Sequence, residues 1–391
     1  MRDSSEQRTR LADLRRRWWA LLALAVALLA AGTAALRAFW PADRVVGWAG
    51  LAAAALLFQL VLLRRNLARN YRPGEADLPL LADMGPANLV TLGRGLAIAA
   101  CAGFLAAPLP LEGLLAWAPA LLYALGVLPD FLDGALARAT HRVTVLGGIL
   151  DMEYDSLAML IVSLLAVRLG KVPAWYISLG LARYLFVAGL WLRQRRGLPI
   201  CELPPSNTRR LAAGFQMGFF CVALCPIFGP PATTIAGILF VAPILLGFVR
   251  DWLVVSAALR PTTPAYRRLR QARAAVWAWL PPLLRALGGG AALLMLAPAF
   301  WRAAGSGPAG WTAGLGAALT VLGAGSLLLG AGTRLGAIGL LIAVCVALAR
   351  DGFQPWHAVL LAATIPLLYT GAGKAALWRR EDALFERRLG E

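Results

Sequence analysis

Four of the chain's twelve aspartates fall within 27 residues, in the stretch PDFLDGALARATHRVTVLGGILDMEYD from Pro129 to Asp155. Asp130 and Asp133 are spaced i, i+3, and Asp151 and Asp155 are spaced i, i+4, so on helices each pair shares one face. The flanking sequence is rich in Leu, Ala and Val, and a carboxylate inside a bilayer costs roughly 2.5–3.5 kcal/mol. A helix cap or a border ion pair accounts for one such aspartate but not for four, which also repel one another. Something positive must sit between them, and in sequence only Arg138, His141 and Arg142 are close. Carboxylates without a His or Cys cluster suit Mg²⁺, Mn²⁺ or Ca²⁺ rather than zinc. Four of them can hold two divalent ions, the arrangement used for displacement at phosphorus. The two histidines, His141 and His357, exclude a histidine-rich metal site, and the five cysteines complete no zinc pattern.

The elements that must position these carboxylates are membrane helices. The chain has 391 residues, 60% of them hydrophobic, with a mean hydropathy of +0.68. Hydropathy predicts spans at about 18–38, 46–63, 89–108, 113–133, 146–167, 173–192, 211–229, 232–250, 278–300, 310–331, 335–349 and 356–371. No period-2 alternation competes, so the expected class is all-α: a polytopic membrane protein of about twelve transmembrane helices. Asp130 and Asp133 end the fourth span and Asp151 and Asp155 open the fifth, so the pairs converge at one end of two adjacent antiparallel helices. Gly147 lies one turn before Asp151 on the same stripe, where it lets another helix or a ligand come close.

The net charge is +18, and 36 of the 38 basic residues are arginine. In a soluble protein that balance would suggest nucleic acid. Here the arginines cluster at alternate span ends, among them Arg15 to Arg17, Arg64, Arg65, Arg193, Arg195, Arg196, Arg267 and Arg268, as the positive-inside rule expects. No nucleic-acid partner is therefore expected. Both termini and the aspartate cluster are placed on the cytoplasmic side of a bacterial-type inner membrane. Two breaks in composition, NYRPGEADLPLLADMGPAN and the basic linker LRPTTPAYRRLRQARAAVWAWL, divide the chain. They give a two-helix N-terminal anchor at 1–70, a six-helix middle at 71–260, and a linker with a four-helix end at 261–391. The Thr-Thr-Pro entry to the linker predicts a helix start.

The aspartate stretch resembles the signature of the CDP-alcohol phosphotransferase family, D-x-x-D-G-x-x-A-R, eight residues, then G-x-x-x-D-x-x-x-D. Asp130, Asp133, Gly134, Ala137, Arg138, Gly147, Asp151 and Asp155 fill every position. The resemblance runs from about Pro86 to Leu259. It takes in PANLVTLGR, through Pro86, Asn88, Thr91 and Arg94, and SNTRRLAAGFQM. It implies a six-helix catalytic core and two divalent ions, Mg²⁺ or Mn²⁺, on Asp130, Asp133, Asp151 and Asp155. It implies Asp155 as general base on the acceptor hydroxyl, attack on the β-phosphorus of a CDP-linked lipid donor such as CDP-diacylglycerol, and departure of CMP. Gly134, Ala137 and Gly147 would make room for the nucleotide, Arg138 would meet a phosphate oxygen, and Asn88 and Thr91 would line the nucleotide pocket.

The acceptor is expected to be a small alcohol, with or without a phosphate. Arg183 lies inside a span, where a charge is a functional candidate. Arg209 and Arg210 belong to a basic cytoplasmic cluster suited to a phosphorylated acceptor. Arg250 and Asp251 are expected to pair at a span end. Membrane lipids are expected partners, and a homodimer is among the expected assemblies. The last four spans resemble DoxX-like membrane proteins, and their glycines suit close helix packing. Two other functions stay open: a CDP-choline- or CDP-ethanolamine-type donor with diacylglycerol as acceptor, and a transporter or scaffold whose carboxylates bind a cation.

Overall fold

The computed structural model describes residues 4–74, 80–129, 143–203, 207–259, 263–304 and 310–378. Among these residues the chain is helical throughout, apart from turns and one isolated bridge between Ala331 and Trp378. The helices are α1 (Ser4–Leu36), α2 (Ala42–Asn66), α3 (Gly85–Gly103), α4 (Ala118–Val127), α5 (Val145–Arg168), α6 (Ile177–Arg195) and α7 (Asn207–Ala223). They continue with α8 (Ala232–Val255), α9 (Pro264–Ala291), α10 (Ala297–Ala304), α11 (Gly310–Leu329), α12 (Thr333–Asp351) and α13 (Pro355–Thr370). Every apolar segment read from the sequence overlaps one of them. α1, α2, α3, α6, α8, α9 (continued through a π turn at Ala292–Leu296 into α10), α11 and α12 are long and apolar enough to cross a bilayer, and α4 and α13 are shorter apolar helices. This is an all-α polytopic membrane protein.

Local chemistry sets the helix starts. Proline stands in the first turn of α3, α4, α9 and α13, where its missing N–H costs nothing. Thr144 caps α5 by accepting from Gly147 N at 2.9 Å. Thr263 caps α9 by accepting from Tyr266 N at 3.3 Å, the start that Thr-Thr-Pro predicts.

The chain divides into two compact units, Met1–Arg183 with Phe220–Pro226, and Tyr184–Phe219 with Ile227–Glu391. In the first, α3 is the hub and packs on α2, α4 and α5. Small residues let it approach: a Cβ on Gly103 would lie 2.5 Å from the Trp48 ring, and one on Gly95 would lie 2.7 Å from Tyr154 and 2.3 Å from Gln59 Oε1. Tyr123, Tyr154, Tyr176 and Phe220 are fully buried in its core, and Phe220 meets Tyr123 and Tyr176 edge-on.

In the second unit α11 packs on α12, α12 on α13, α13 on α9 and α9 on α11, closing a four-helix ring. Arg285, buried in α9, donates to Leu327 O at 2.7 Å and Ala372 O at 2.9 Å, and its other N–H groups reach the carbonyls of Leu328, Lys374 and Ala375. These carbonyls end α11 and follow α13, where helix dipoles favour a cation. Gly330, at φ +66°, leaves room for the guanidinium: a Cβ there would lie 2.3 Å from Arg285 Nη2.

Candidate active site

Three helices of the first unit build the site. Asp151 and Asp155 stand one turn apart on α5 and face α3. Arg94 of α3 is only 2% exposed and bridges them. Its Nη1 donates to Asp151 Oδ1 at 2.9 Å and its Nη2 to Asp155 Oδ1 at 2.6 Å. Its Nε donates to Gly126 O in the last turn of α4 at 2.8 Å, which fixes the plane of the guanidinium. Asp155 is 28% exposed and Asp151 46% exposed, so Asp151 is the carboxylate more open to a ligand. The positive charge that the carboxylates require thus comes from a helix 57 and 61 residues away in sequence. In the sequence Arg94 stands out only as part of PANLVTLGR. The available signal was its place as a lone charge within an apolar span.

Above the carboxylates, Asn88 and Gly147 hold α3 against the start of α5. Asn88 is buried, and its Nδ2 lies 3.4 Å from Thr144 Oγ1. A Cβ on Gly147 would come within 2.6 Å of Asn88 Oδ1. The missing side chain at Gly147 therefore admits another helix, one of the two uses its position suggests. Thr91 is buried and donates its hydroxyl to Ala87 O within α3 at 3.2 Å. Asn88, Thr91 and Arg94 recur at helical spacing along α3, which makes one continuous polar line of the residues singled out there by sequence. Asp130, Asp133, Gly134, Ala137 and Arg138 lie outside the described residues. Among the described residues no group of three or more His, Cys, Asp or Glu is gathered.

Residues 84–249 match the family model described as CDP-alcohol phosphatidyltransferase. This segment is a CDP-alcohol phosphatidyltransferase domain. The family is one of transferases. Over 112 residues the chain is 33% identical to a protein of Mycobacterium bovis named "Putative cardiolipin synthase", and to proteins of the same name from two strains of Mycobacterium tuberculosis. The aligned part is 28% of this chain and 51% of each relative, so the chain spans about half the length of the curated relatives it matches. No solved structure matches the chain.

Within the CDP-alcohol phosphatidyltransferase domain, Arg183 of α6 donates to Glu153 Oε1 at 2.7 Å, and both side chains are about one-third exposed. Glu153 is two residues from Asp151 and two from Asp155, about 200° or 160° around the helix. The pair therefore lies on the side of α5 turned away from the carboxylate stripe. Arg209 and Arg210 start α7 in the second unit. There Arg209 Nη1 meets Asp251 Oδ2 at 3.1 Å, while Arg210 is exposed. Arg250 meets the other oxygen of Asp251 at 2.6 Å, so the expected Arg250–Asp251 pair is joined by a second arginine.

Proposed function

We propose that the CDP-alcohol phosphatidyltransferase domain moves a phosphatidyl group from CDP-diacylglycerol to an alcohol, releasing CMP. The observation that carries this reading is the Arg94-bridged pair Asp151–Asp155, which stands inside the matched segment. A binding pocket for a transported cation does not need a guanidinium fork held on both carboxylates and a helix-end carbonyl. An ordered platform for phosphate chemistry does use fixed charge of this kind.

The donor set fits a hard divalent cation. The carboxylate oxygens of Asp151 and Asp155 are of the right type, and Asp151 is the more open of the two; an ion bound there would share these carboxylates with Arg94. Asp130, Asp133, Asp151 and Asp155 would hold Mg²⁺ or Mn²⁺. When bound, the ions would neutralise charge on the diphosphate. Asp155 is proposed as the base that takes the acceptor's proton. Arg94 holds one of its oxygens at 2.6 Å, so a proton taken by Asp155 weakens that ion pair, and base action is coupled to Arg94. Asn88 and Thr91 are proposed to line the nucleotide pocket together with Gly134, Ala137 and Arg138. The active site and both termini are proposed to face the cytoplasm of a bacterial-type inner membrane, on the arginine distribution.

For the acceptor we favour an alcohol that carries a phosphate. Support comes from Arg183, a charge inside an apolar helix that an acceptor phosphate would have to draw away from Glu153, and from the name "Putative cardiolipin synthase" that the mycobacterial relatives carry. Purified protein with labelled CDP-diacylglycerol and a divalent cation, offered glycerol 3-phosphate, inositol phosphate, phosphatidylglycerol and uncharged alcohols in turn, tests the reading. CMP and a new phospholipid should appear with a phosphate-bearing acceptor. CMP release with CDP-choline and diacylglycerol instead would reassign the donor. Folded protein that releases no CMP with any pair would end the transferase reading.

A further inference from the structure

α1 and α3 both pack on α2 but hardly on each other, and a groove of about 470 Å³ runs between them. That volume lies in the range of small-molecule sites. Arg17, Leu21 and Leu24 line it from α1, and at spacings of four and three residues they share one face of that helix. Asp83 and Leu89 line it from the start of α3. Both walls are polar at one end and apolar along the rest. Leu24 is 51% exposed and Leu89 54% exposed, so no protein among the described residues covers the apolar part. The polar end is biased towards positive charge. Arg17 in the lining and Arg15 and Arg16 beside it are all exposed, against two carboxylates, Asp83, which accepts from Gly85 N at 3.1 Å, and Asp13, 4.0 Å from Arg16.

A cationic end above an apolar trough matches the layout of a phospholipid with a net negative headgroup. We propose that this groove binds an anionic phospholipid, with its phosphate on Arg17 and one acyl chain along Leu21, Leu24 and Leu89. α1 precedes residue 84, where the family match begins, so the site is an addition of this chain's N-terminal segment to the first helix of the matched domain. It does not depend on the transfer reaction. The opposite faces of α3 carry Leu89 to the groove and Arg94 to the carboxylates, so a lipid held here rests on the helix that positions the site.

Photolabelling of the whole chain in nanodiscs tests the proposal without any turnover. The probes are phosphatidylglycerol or phosphatidylcholine bearing a diazirine on one acyl chain, with labelled positions read by peptide mass spectrometry. The phosphatidylglycerol probe should mark Leu21, Leu24 and Leu89 in preference to Val26. Val26 is 56% exposed and lies about 180° around α1 from Arg17, on a face turned to annular lipid. Arg17→Gln should lower groove labelling by about fivefold, the factor one basic residue contributes at an anionic surface, and leave Val26 labelling unchanged. Leu24→Trp, which fills the trough, should abolish labelling of Leu89. Equal labelling around α1, equal use of the two headgroups, or indifference to Arg17→Gln would each overturn the proposal.

Discussion

Arg94 joins two carboxylates of one helix to a carbonyl of another, and its burial makes each contact strong. If its charge stands in for cations that the site takes up in turnover, removing it should make the protein dependent on metal. Arg94→Gln should unfold at a lower temperature in chelator. Mg²⁺ or Mn²⁺ should then raise its Tm by more than they raise that of the parent, because the ions neutralise repulsion that the parent has already relieved. An equal metal-induced shift in both proteins would show that Arg94 and the ions do not share these carboxylates. Asp155→Asn should lower kcat by roughly 10²–10⁴-fold, the range for lost general-base catalysis, with donor binding retained. A loss of donor binding as complete as in Asp151→Asn would make Asp155 a ligand rather than the base. Arg183 gives a third residue-scale test. Its partner Glu153 must compete with any acceptor phosphate, so Glu153→Gln should lower the acceptor KM several-fold while Arg183→Ala raises it tenfold or more, a loss of about 1.4 kcal/mol. If Glu153→Gln leaves the acceptor KM unchanged and lowers only Tm, the pair is a helix clamp.

At the scale of elements, the site depends on how closely α3 lies against α5. Gly95 is the residue after Arg94, and a Cβ there meets both Tyr154 and Gln59. Gly147 makes the matching close contact with Asn88 at the other end of the seam. Gly147→Ala should push Asn88 aside and cost about 1–3 kcal/mol, the usual price of overpacking, with a larger loss of donor affinity than of Tm. Normal donor KM in that variant would remove Asn88 from the nucleotide pocket. The seam also shows what could be read from sequence. The spacing of Asp151, Asp155 and Gly147 announced one face of a helix, because i, i+4 geometry is local. The cation on that face could not be read in the same way, because no rule of spacing links Arg94 to residues 57 and 61 positions later. Likewise Arg183 was legible as a charge in a span, but its orientation away from the carboxylates came only from its bond to Glu153.

On the scale of the whole molecule, hydropathy located every helix-bearing segment, since a bilayer demands long apolar runs whatever their partners. It could not tell which runs stop short. α4 covers only Ala118–Val127 of the run read as 113–133, after a separate turn at Gly113–Ala116, whereas α13, Pro355–Thr370, fills the run read as 356–371, between Pro355 in its first turn and Gly371 at φ +69° after its end. Nor could it explain Arg285, a charge in an apolar helix that would pass for a site residue. In the second unit Arg285 is a structural cation that ties the ends of α11 and α13 to α9. Arg285→Met should leave several helix-end carbonyls without a donor, at about 1–3 kcal/mol for each one that stays buried, and so lower Tm and the yield of folded protein. Arg285→Lys should recover little, since an ammonium cannot span the carbonyls that the planar fork reaches. The same variants, normalised to folded protein, should release CMP with parental kcat and KM, because the proposed chemistry uses carboxylates of the first unit. A variant with parental Tm and lost CMP release would instead place Arg285 in the reaction, and the four-helix ring would have to be treated as catalytic.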